Sequence, residues 1–188
     1  MNPIKKKIVI LGDSSVGKTA YINRLVMGMF IENTKPTITA AFKTRTIQIN
    51  GFDYEIQFWD TAGEEKYRSL APIYVQDAFM AILMFDVTKK ESYQSLDVWY
   101  ELSQSCGTIP VIILGNKNDL DDRFTSISAL ESEINSKYNS LYLDISTKLD
   151  VNIEPSFQAI IDKIEKIPEE TNNLHQIQAK KESDKACC

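Results

Sequence analysis

The sequence contains little of what several classes of protein depend on. Its 188 residues include only three cysteines, two of them terminal, which cannot form a disulfide framework. The net charge of −5 argues against the basic surface that nucleic-acid binding requires. The longest apolar run, residues 78–85, lies between Asp77 and Asp86 and is too short to span a membrane. No apolar secretory segment precedes the first strand pattern, so we expect an intracellular protein.

The remaining features are typical of one α/β domain. Hydrophobic residues make up 43% of the chain and charged residues 25%, and the length suits a single core. Strand and helix patterns alternate, which predicts a six-stranded, mostly parallel sheet with helices on both faces. The predicted strands are residues 8–11, 42–49, 52–59, 78–85, 111–115 and 141–145, and the later helices are residues 91–105, 126–138 and 153–167. Asn50-Gly51 is a hairpin signal, so one antiparallel strand is expected at an edge.

Residues 12–19 match the phosphate-loop pattern G-x-x-x-x-G-K-[ST], and they lie between an apolar strand and a helical pattern. In such a loop, backbone N–H groups point at an anion near the positive end of the helix dipole. We expect Lys18 to contact the outer phosphates and the Thr19 hydroxyl to reach a magnesium ion. The predicted nucleotide-binding residues of this loop are Ser14, Ser15, Val16, Gly17, Lys18, Thr19 and Ala20.

A second pattern, Asn116-Lys117-Asn118-Asp119, follows the predicted strand at residues 111–115. Ligands bind at the carboxyl ends of strands in open α/β sheets. Asp119 can accept hydrogen bonds from N1–H and the exocyclic amine of guanine, whereas adenine would leave the charge unpaired. The aliphatic stem of Lys117 is expected to cover the flat face of the base. Together with the phosphate loop, this pattern predicts a guanine nucleotide.

A third segment, Trp59-Asp60-Thr61-Ala62-Gly63-Glu64, supplies groups for a metal ion and a terminal phosphate. A carboxylate at a strand end opposite the phosphate loop suits magnesium, so Asp60 is a predicted ligand. Gly63 has no side chain, which lets its N–H approach a terminal phosphate. Thr37 lies in an irregular stretch and offers a hydroxyl that could complete the metal shell.

These motifs resemble the Ras superfamily of small GTPases, and its Rab branch in particular, over about residues 5–166 and at the terminal cysteines. The resemblance implies a P-loop GTPase domain at residues 1–167 and a flexible tail at residues 168–188. It places Phe30 against the guanine ring, and Thr34 where many relatives carry a tyrosine over the phosphates. It also makes Ser146-Thr147-Lys148 the base-recognition loop, with Thr147 in place of the usual alanine.

The resemblance further implies a switch between GTP and GDP. With GTP and Mg²⁺, two loops at about residues 31–41 and 61–76 are held in one arrangement, and hydrolysis to GDP and phosphate releases them. The implied catalytic residues are Lys18, Thr37 and Glu64. The implied partners are effector, exchange-factor, GTPase-activating and GDP-dissociation-inhibitor proteins, in the regulation of vesicle traffic. Phe42, Trp59 and Tyr74 have the spacing of the hydrophobic triad that Rab proteins present to effectors, with core packing as the alternative.

Glu64 stands where the family usually has glutamine. A glutamine amide can both donate and accept hydrogen bonds, whereas a carboxylate only accepts and brings negative charge beside the γ-phosphate. We therefore predict slow intrinsic hydrolysis. Two alternatives remain: Glu64 acting as a general base, and a GTP-binding scaffold with little hydrolysis. A small-molecule kinase that shares the phosphate loop is a weaker alternative, because residues 116–119 favour guanine.

The chain ends in Cys187-Cys188, which resembles the double-geranylgeranylation site of Rab proteins. Two prenyl chains give stable membrane anchoring, whereas one gives only marginal binding. The basic residues of the tail are offset by acidic ones, so we expect both cysteines to be needed. The implied location is the cytoplasmic face of intracellular membranes, in exchange with the cytosol. The alternative is a pair of unmodified thiols.

Overall fold

Strands and helices alternate along the chain, as the computed structural model shows for residues 2–32, 37, 41–61 and 71–166. The strands are β1 Ile4–Leu11, β2 Ala41–Ile49, β3 Phe52–Asp60, β4 Met80–Asp86, β5 Val111–Asn116 and β6 Leu141–Asp144. The helices are α1 Lys18–Met27, α2 Ala71–Val75, α3 Lys90–Gln94, α4 Leu96–Ser103, α5 Ile127–Tyr138 and α6 Ile153–Lys166. No helix within these ranges is long and apolar enough to cross a membrane.

The six strands form one sheet in the order β2-β3-β1-β4-β5-β6. Every neighbouring pair is parallel except β2 and β3, which confirms the predicted sheet with one antiparallel edge strand. Asn50 and Gly51 join this pair with φ angles of 49° and 83°, as a two-residue hairpin turn of the primed type requires. The five parallel strands therefore end at one edge of the sheet, where ligands bind in open α/β folds.

Alternation of side chains along β1 divides the core into two layers. Ile8 and Ile10 belong to the layer packed under α1 and α6, and Val9 and Leu11 belong to the layer packed under α4 and α5. Strands covered on both faces are apolar throughout, and all of β4 is buried. Because each fully buried large apolar side chain contributes about 1.5–3 kcal/mol, the two layers hold the strand ends in a fixed arrangement.

The predicted elements differ from the observed ones by more than two residues in three places. The helix predicted at residues 91–105 is divided at Ser95 into α3 and α4, and the Ser95 hydroxyl donates to the Glu91 carbonyl, a bond that bends helices. Residues 71–75, which lie in the loop expected at about residues 61–76, form α2. β1 begins at Ile4 rather than Ile8, because pairing with β3 supplies backbone partners from Ile4 onward.

Candidate nucleotide-binding site

The phosphate loop, residues 12–19, connects β1 to α1 and lies close to the ends of β4 and β5. A Cβ atom on Gly12 would lie 2.2 Å from the Met84 carbonyl oxygen, and one on Gly17 would lie 2.3 Å from Asn116 Nδ2. Gly17 also has a φ of 105°, which favours glycine. As the N-cap of α1 it has no side chain to cap the first-turn N–H groups, so these donors are available to an anion.

Lys18 lies inside this loop and is almost completely buried. Its ammonium donates to the carbonyl oxygens of Gly12 at 2.7 Å and Asp13 at 2.8 Å. Burial lowers the pKa of Lys18 to about 8, against the opposing effect of the Asp60 and Asp13 carboxylates. A phosphate placed in the loop would favour the charged form. Of the other predicted residues of the loop, Ser14 and Ser15 are exposed and Val16 is buried.

The three predicted metal ligands lie together at the edge of the loop. Thr19 Oγ1 donates to Asp60 Oδ2 at 2.7 Å, and Thr37 Oγ1 donates to the same oxygen at 3.2 Å. The two hydroxyl oxygens are 2.8 Å apart. Asp60 Oδ1 is buried and has no hydrogen-bond partner in the part of the chain that the structure describes. This set of oxygens, with one carboxylate oxygen to spare, fits a hard divalent cation.

Burial raises the pKa of Asp60, while hydrogen bonds from Thr19 and Thr37 and the charge of Lys18 act in the opposite direction. A divalent cation beside the carboxylate would add positive charge and favour the ionised form. A cation at the unpartnered Oδ1 of Asp60 would therefore offset the effect of burial on this carboxylate.

A cleft of about 490 Å³ lies beside the phosphate loop, and we call it the base cleft. Its volume is within the range of small-molecule sites. Its walls include Ala20 from the phosphate-loop prediction and most of the residues predicted to hold the base: Phe30, Asn116, Lys117, Asp119, Thr147 and Lys148. Leu120 and Ile31 add apolar surface to the same cleft.

Asn116 joins the base cleft to the phosphate loop. It is buried, and its Nδ2 donates to the Val16 carbonyl at 2.8 Å. Its Oδ1 accepts hydrogen bonds from the backbone N–H of Thr147 at 3.1 Å and from the Thr147 hydroxyl at 2.9 Å. An alanine at position 147 would lack the hydroxyl bond, so the departure from the family pattern adds a contact here.

The predicted base-recognition carboxylate is held in a defined orientation. Ser146 Oγ donates to Asp119 Oδ1 at 2.6 Å, and the same hydroxyl accepts the backbone N–H of Leu149 at 3.0 Å. One hydrogen bond fixes the orientation of the carboxylate and leaves both oxygens able to accept, as a base with two adjacent donors requires.

The sequence pattern did not indicate Asp86, which ends β4 beside Asn116. Its Oδ2 lies 2.7 Å from Lys117 Nζ, and the carboxylate is almost completely buried. Burial alone would raise the pKa of Asp86, but hydrogen bonds from Lys117 and Thr88 outweigh it and hold the pKa below its ordinary value. Lys117 also has a φ of 70°, a backbone conformation that side chains rarely adopt. The sequence did offer one signal for Asp86, since it is the acidic residue that directly follows the apolar run of β4.

A second unpredicted contact ties the phosphate loop to a helix. Trp99 Nε1 on α4 donates to Asp13 Oδ1 at 2.8 Å across 86 positions of sequence. The backbone carbonyl of Asp13 also accepts a hydrogen bond from the Lys18 ammonium. No local pattern could reveal this bond, because it depends on the packing of α4 against the sheet.

Two members of the predicted hydrophobic triad lie together. The rings of Phe42 and Trp59 are stacked with centroids 5.1 Å apart, and Phe42 is half exposed. The ammonium of Lys7 lies over the Trp59 ring at 4.5 Å. Tyr74 is half-buried against the core layer that contains Val9, which is closer to the core-packing alternative.

Several predicted residues lie outside the described part of the chain. They are Thr34, Gly63, Glu64, Cys187 and Cys188, with the predicted tail at residues 168–188. Their assigned roles remain predictions from the sequence.

Comparison with known proteins identifies the family. A profile described as the Ras family matches residues 7–166. The Ras-related protein Rab7 of Drosophila melanogaster is 38% identical over 160 residues, which cover 82% of this chain and 77% of that protein. The Ras-related protein RABF2a of Arabidopsis thaliana is 36% identical over 167 residues, covering 87% of this chain and 83% of the relative. The Arabidopsis protein RABF2b is 32% identical, with coverage of 98% and 96%. The chain therefore belongs to the Ras superfamily of small GTPases, within its Rab branch.

Proposed function

We propose that this GTPase is a switch that binds GTP and GDP in the site described above and hydrolyses GTP slowly. The observation that carries the proposal is the Asn116 side chain, which bonds the phosphate loop on one side and the base-recognition loop on the other. A ligand that contacts the phosphate loop and the base-recognition loop at once would need phosphates at one end and a base at the other. The Ser146-held carboxylate of Asp119 favours guanine as that base.

Thr19, Thr37 and Asp60 would hold Mg²⁺, whose chemistry is to neutralise charge on the outer phosphates. Lys18 would place its ammonium on the same phosphates, where the low exposure strengthens the interaction. Glu64 would face the attacking water as an acceptor only. The cation and Lys18 would therefore bind the phosphates tightly, while Glu64 would make hydrolysis slow.

The proposal is tested by competition and turnover with the full-length chain. Guanosine diphosphate should displace a fluorescent guanine nucleotide, whereas adenosine diphosphate at the same concentration should not. Turnover of labelled GTP should then proceed slowly and depend on magnesium. Equal competition by the two diphosphates would contradict the proposal and would favour a kinase of broader specificity.

A GTP-binding scaffold is the second candidate, and the replacement of glutamine by Glu64 is the observation that favours it. The two candidates differ in the nucleotide that the purified protein carries. A slow GTPase should be isolated mainly with GDP, whereas a scaffold without hydrolysis should retain GTP.

We also propose a role in membrane traffic, with prenyl groups on Cys187 and Cys188 and the Phe42–Trp59 pair as part of an effector surface. Two observations support this role: the relatives of this chain belong to the Rab branch, and the ring of Phe42 is half exposed. Mass spectrometry of the chain after prenyl transfer should show two lipid groups. Cys187→Ser and Cys188→Ser should each carry one group and lose stable membrane binding.

A further inference from the structure

We propose that Arg24 is a positioning residue that holds the two walls of the base cleft together and so sets how long a guanine nucleotide remains bound. The inference rests on the proposed nucleotide site. Arg24 lies on α1 beyond the phosphate loop, its side chain is 15% exposed, and it is not part of the cleft lining.

The guanidinium of Arg24 holds one wall of the cleft through two adjacent carbonyl groups. Nε donates to the Thr147 carbonyl oxygen at 3.1 Å, and Nη2 donates to that of Lys148 at 3.0 Å. Both residues line the base cleft. A planar fork of charged donors fixes the direction of two acceptors at once, which a flexible ammonium cannot do.

The same group also contacts residues 28–30, which we call the second wall. Nη1 donates to the carbonyl oxygen of Gly28, the C-cap of α1, at 3.0 Å, and Cζ lies 6.0 Å from the centroid of the Phe30 ring. Phe30 lines the cleft from this side. One cation therefore connects residues 28–30 with residues 147–148, although these segments are far apart in sequence. The Asp150 carboxylate, 4.0 Å away and largely exposed, adds little to this arrangement.

Loss of the fork should allow the two walls to move apart. In Arg24→Gln the Thr147 and Lys148 carbonyls lose charged partners, so we expect guanosine diphosphate to leave about tenfold faster. The association rate should change little, because interface changes act mainly on dissociation. Arg24→Lys keeps the charge but not the fork, and its release rate should fall between those of Arg24→Gln and the wild type.

Arg45 provides a matched control. It also lies on an aromatic ring, with Cζ 3.8 Å from the Phe157 centroid, and pairs with Glu154 at 3.2 Å. These contacts connect β2 to α6, and Nη1 also donates to the Leu25 carbonyl oxygen of α1 at 3.4 Å, but none of the three partners lines the cleft. Arg45→Gln therefore removes comparable contacts without touching the walls of the site, and it should release nucleotide at the wild-type rate.

The test measures release of fluorescent guanosine diphosphate from the full chain by stopped flow, in magnesium and in excess chelator. We expect the ratio of the Arg24→Gln rate to the wild-type rate to be about the same in both conditions, because the base end does not depend on the metal. The role of Arg24 would be overturned if Arg24→Gln released nucleotide at the wild-type rate, or if its faster release were seen only in magnesium. It would also be overturned if Arg45→Gln released nucleotide as fast as Arg24→Gln. If the wild type itself shows no preference for guanosine over adenosine diphosphate, the proposed function fails instead.

Discussion

Thr19 Oγ1 donates to Asp60 Oδ2 at 2.7 Å, although 41 positions separate the two residues in sequence. Thr19 lies in the first turn of α1, and Asp60 is the last residue of β3. The contact therefore exists only because β1 and β3 are neighbours whose ends meet at one edge of the sheet. It leaves the second Asp60 oxygen without a partner among the described residues, at the place where a cation would bind.

Asp60→Asn should remove most of the effect of magnesium on nucleotide release. The amide keeps the shape of the side chain but lacks the charge that a hard cation requires. In the wild type, magnesium should slow release strongly compared with chelator, and in the variant the ratio should fall to about one. Asp97→Asn, which alters an exposed carboxylate on α4, should keep the wild-type ratio. Strong slowing by magnesium in Asp60→Asn would exclude this residue as a ligand.

Gly17→Ala should abolish nucleotide binding. Its Cβ would displace the Asn116 amide, which lies 2.3 Å from that position. Gly51→Ala is the control, because Gly51 also has a positive φ but has open space around it. Each alanine should lower the free energy of unfolding by about 1–2 kcal/mol through backbone strain. Only Gly17→Ala should also lose fluorescent nucleotide in equilibrium titration, and retained binding would show that Asn116 can move without consequence.

Nucleotide affinity should depend on the protonation of Lys18, whose pKa is lowered to about 8 by burial. Phosphate beside the ammonium favours its charged form, so the pKa is higher in the complex than in the free protein. Affinity is therefore fully present below about pH 8 and falls as the pH rises, by up to about tenfold per unit. Affinity measured at several pH values below and above about 8 should show this change of slope, which we call the bend. Lys18→Gln should bind weakly and show no bend, and a bend in that variant would assign the effect to another group.

Asp86→Asn should destabilise the protein, because it leaves Lys117 without its buried counter-charge. We expect a loss of about 2–3 kcal/mol at neutral pH, measured by urea unfolding of the GDP-bound protein. Asp97→Asn removes a half-exposed partner of Lys137 and should cost at most about 1 kcal/mol.

The pH dependence of this difference has a definite sign. The pKa of Asp86 is lowered on folding, so its contribution is present above the unfolded pKa of about 4 and is lost as the pH falls through the folded value. The gap between wild type and Asp86→Asn should therefore close in acid. A gap that stays constant would mean that the ionised carboxylate is not the stabilising group.

Glu64→Gln should hydrolyse GTP several times faster than the wild type, because the amide both accepts from the attacking water and donates toward the γ-phosphate. Single-turnover hydrolysis, with both proteins loaded with labelled GTP, measures the difference. A slower variant would reverse the interpretation and make Glu64 a general base. Because the readout is chemistry after loading, any effect on affinity is kept separate.

The fold was largely predictable because its signals are local. The apolar run that became β4 indicated a strand covered on both faces, and Asn50-Gly51 indicated the hairpin between β2 and β3. The boundaries at Ser95 and Ile4 were missed because they depend on neighbours. The hydroxyl of Ser95 competes for a helix carbonyl, and β3 supplies the partners that extend β1.

The candidate site was predictable only to the extent that each motif is contiguous. Short patterns indicated Lys18, Asn116 and Asp119 as candidates, and the structure places the last two around one cleft and Lys18 inside the adjoining loop. The supporting residues Arg24 and Asp86 belong to no such pattern. Several of their partners, Thr147 and Lys148 for Arg24 and Lys117 for Asp86, are remote in sequence, so only the folded chain shows these contacts.

The order of residues alone determined which chemical groups this protein has: a glycine-bounded loop that can bend around an anion, a carboxylate that suits guanine, and hydroxyls that suit magnesium. Tertiary structure decided which of those groups meet and what environment they share. The physical reason is that propensity and turn chemistry act over a few residues. Distances such as the 2.7 Å between Lys117 and Asp86, and the burial that lowers the Lys18 pKa, come from packing between strands and helices that are remote in sequence.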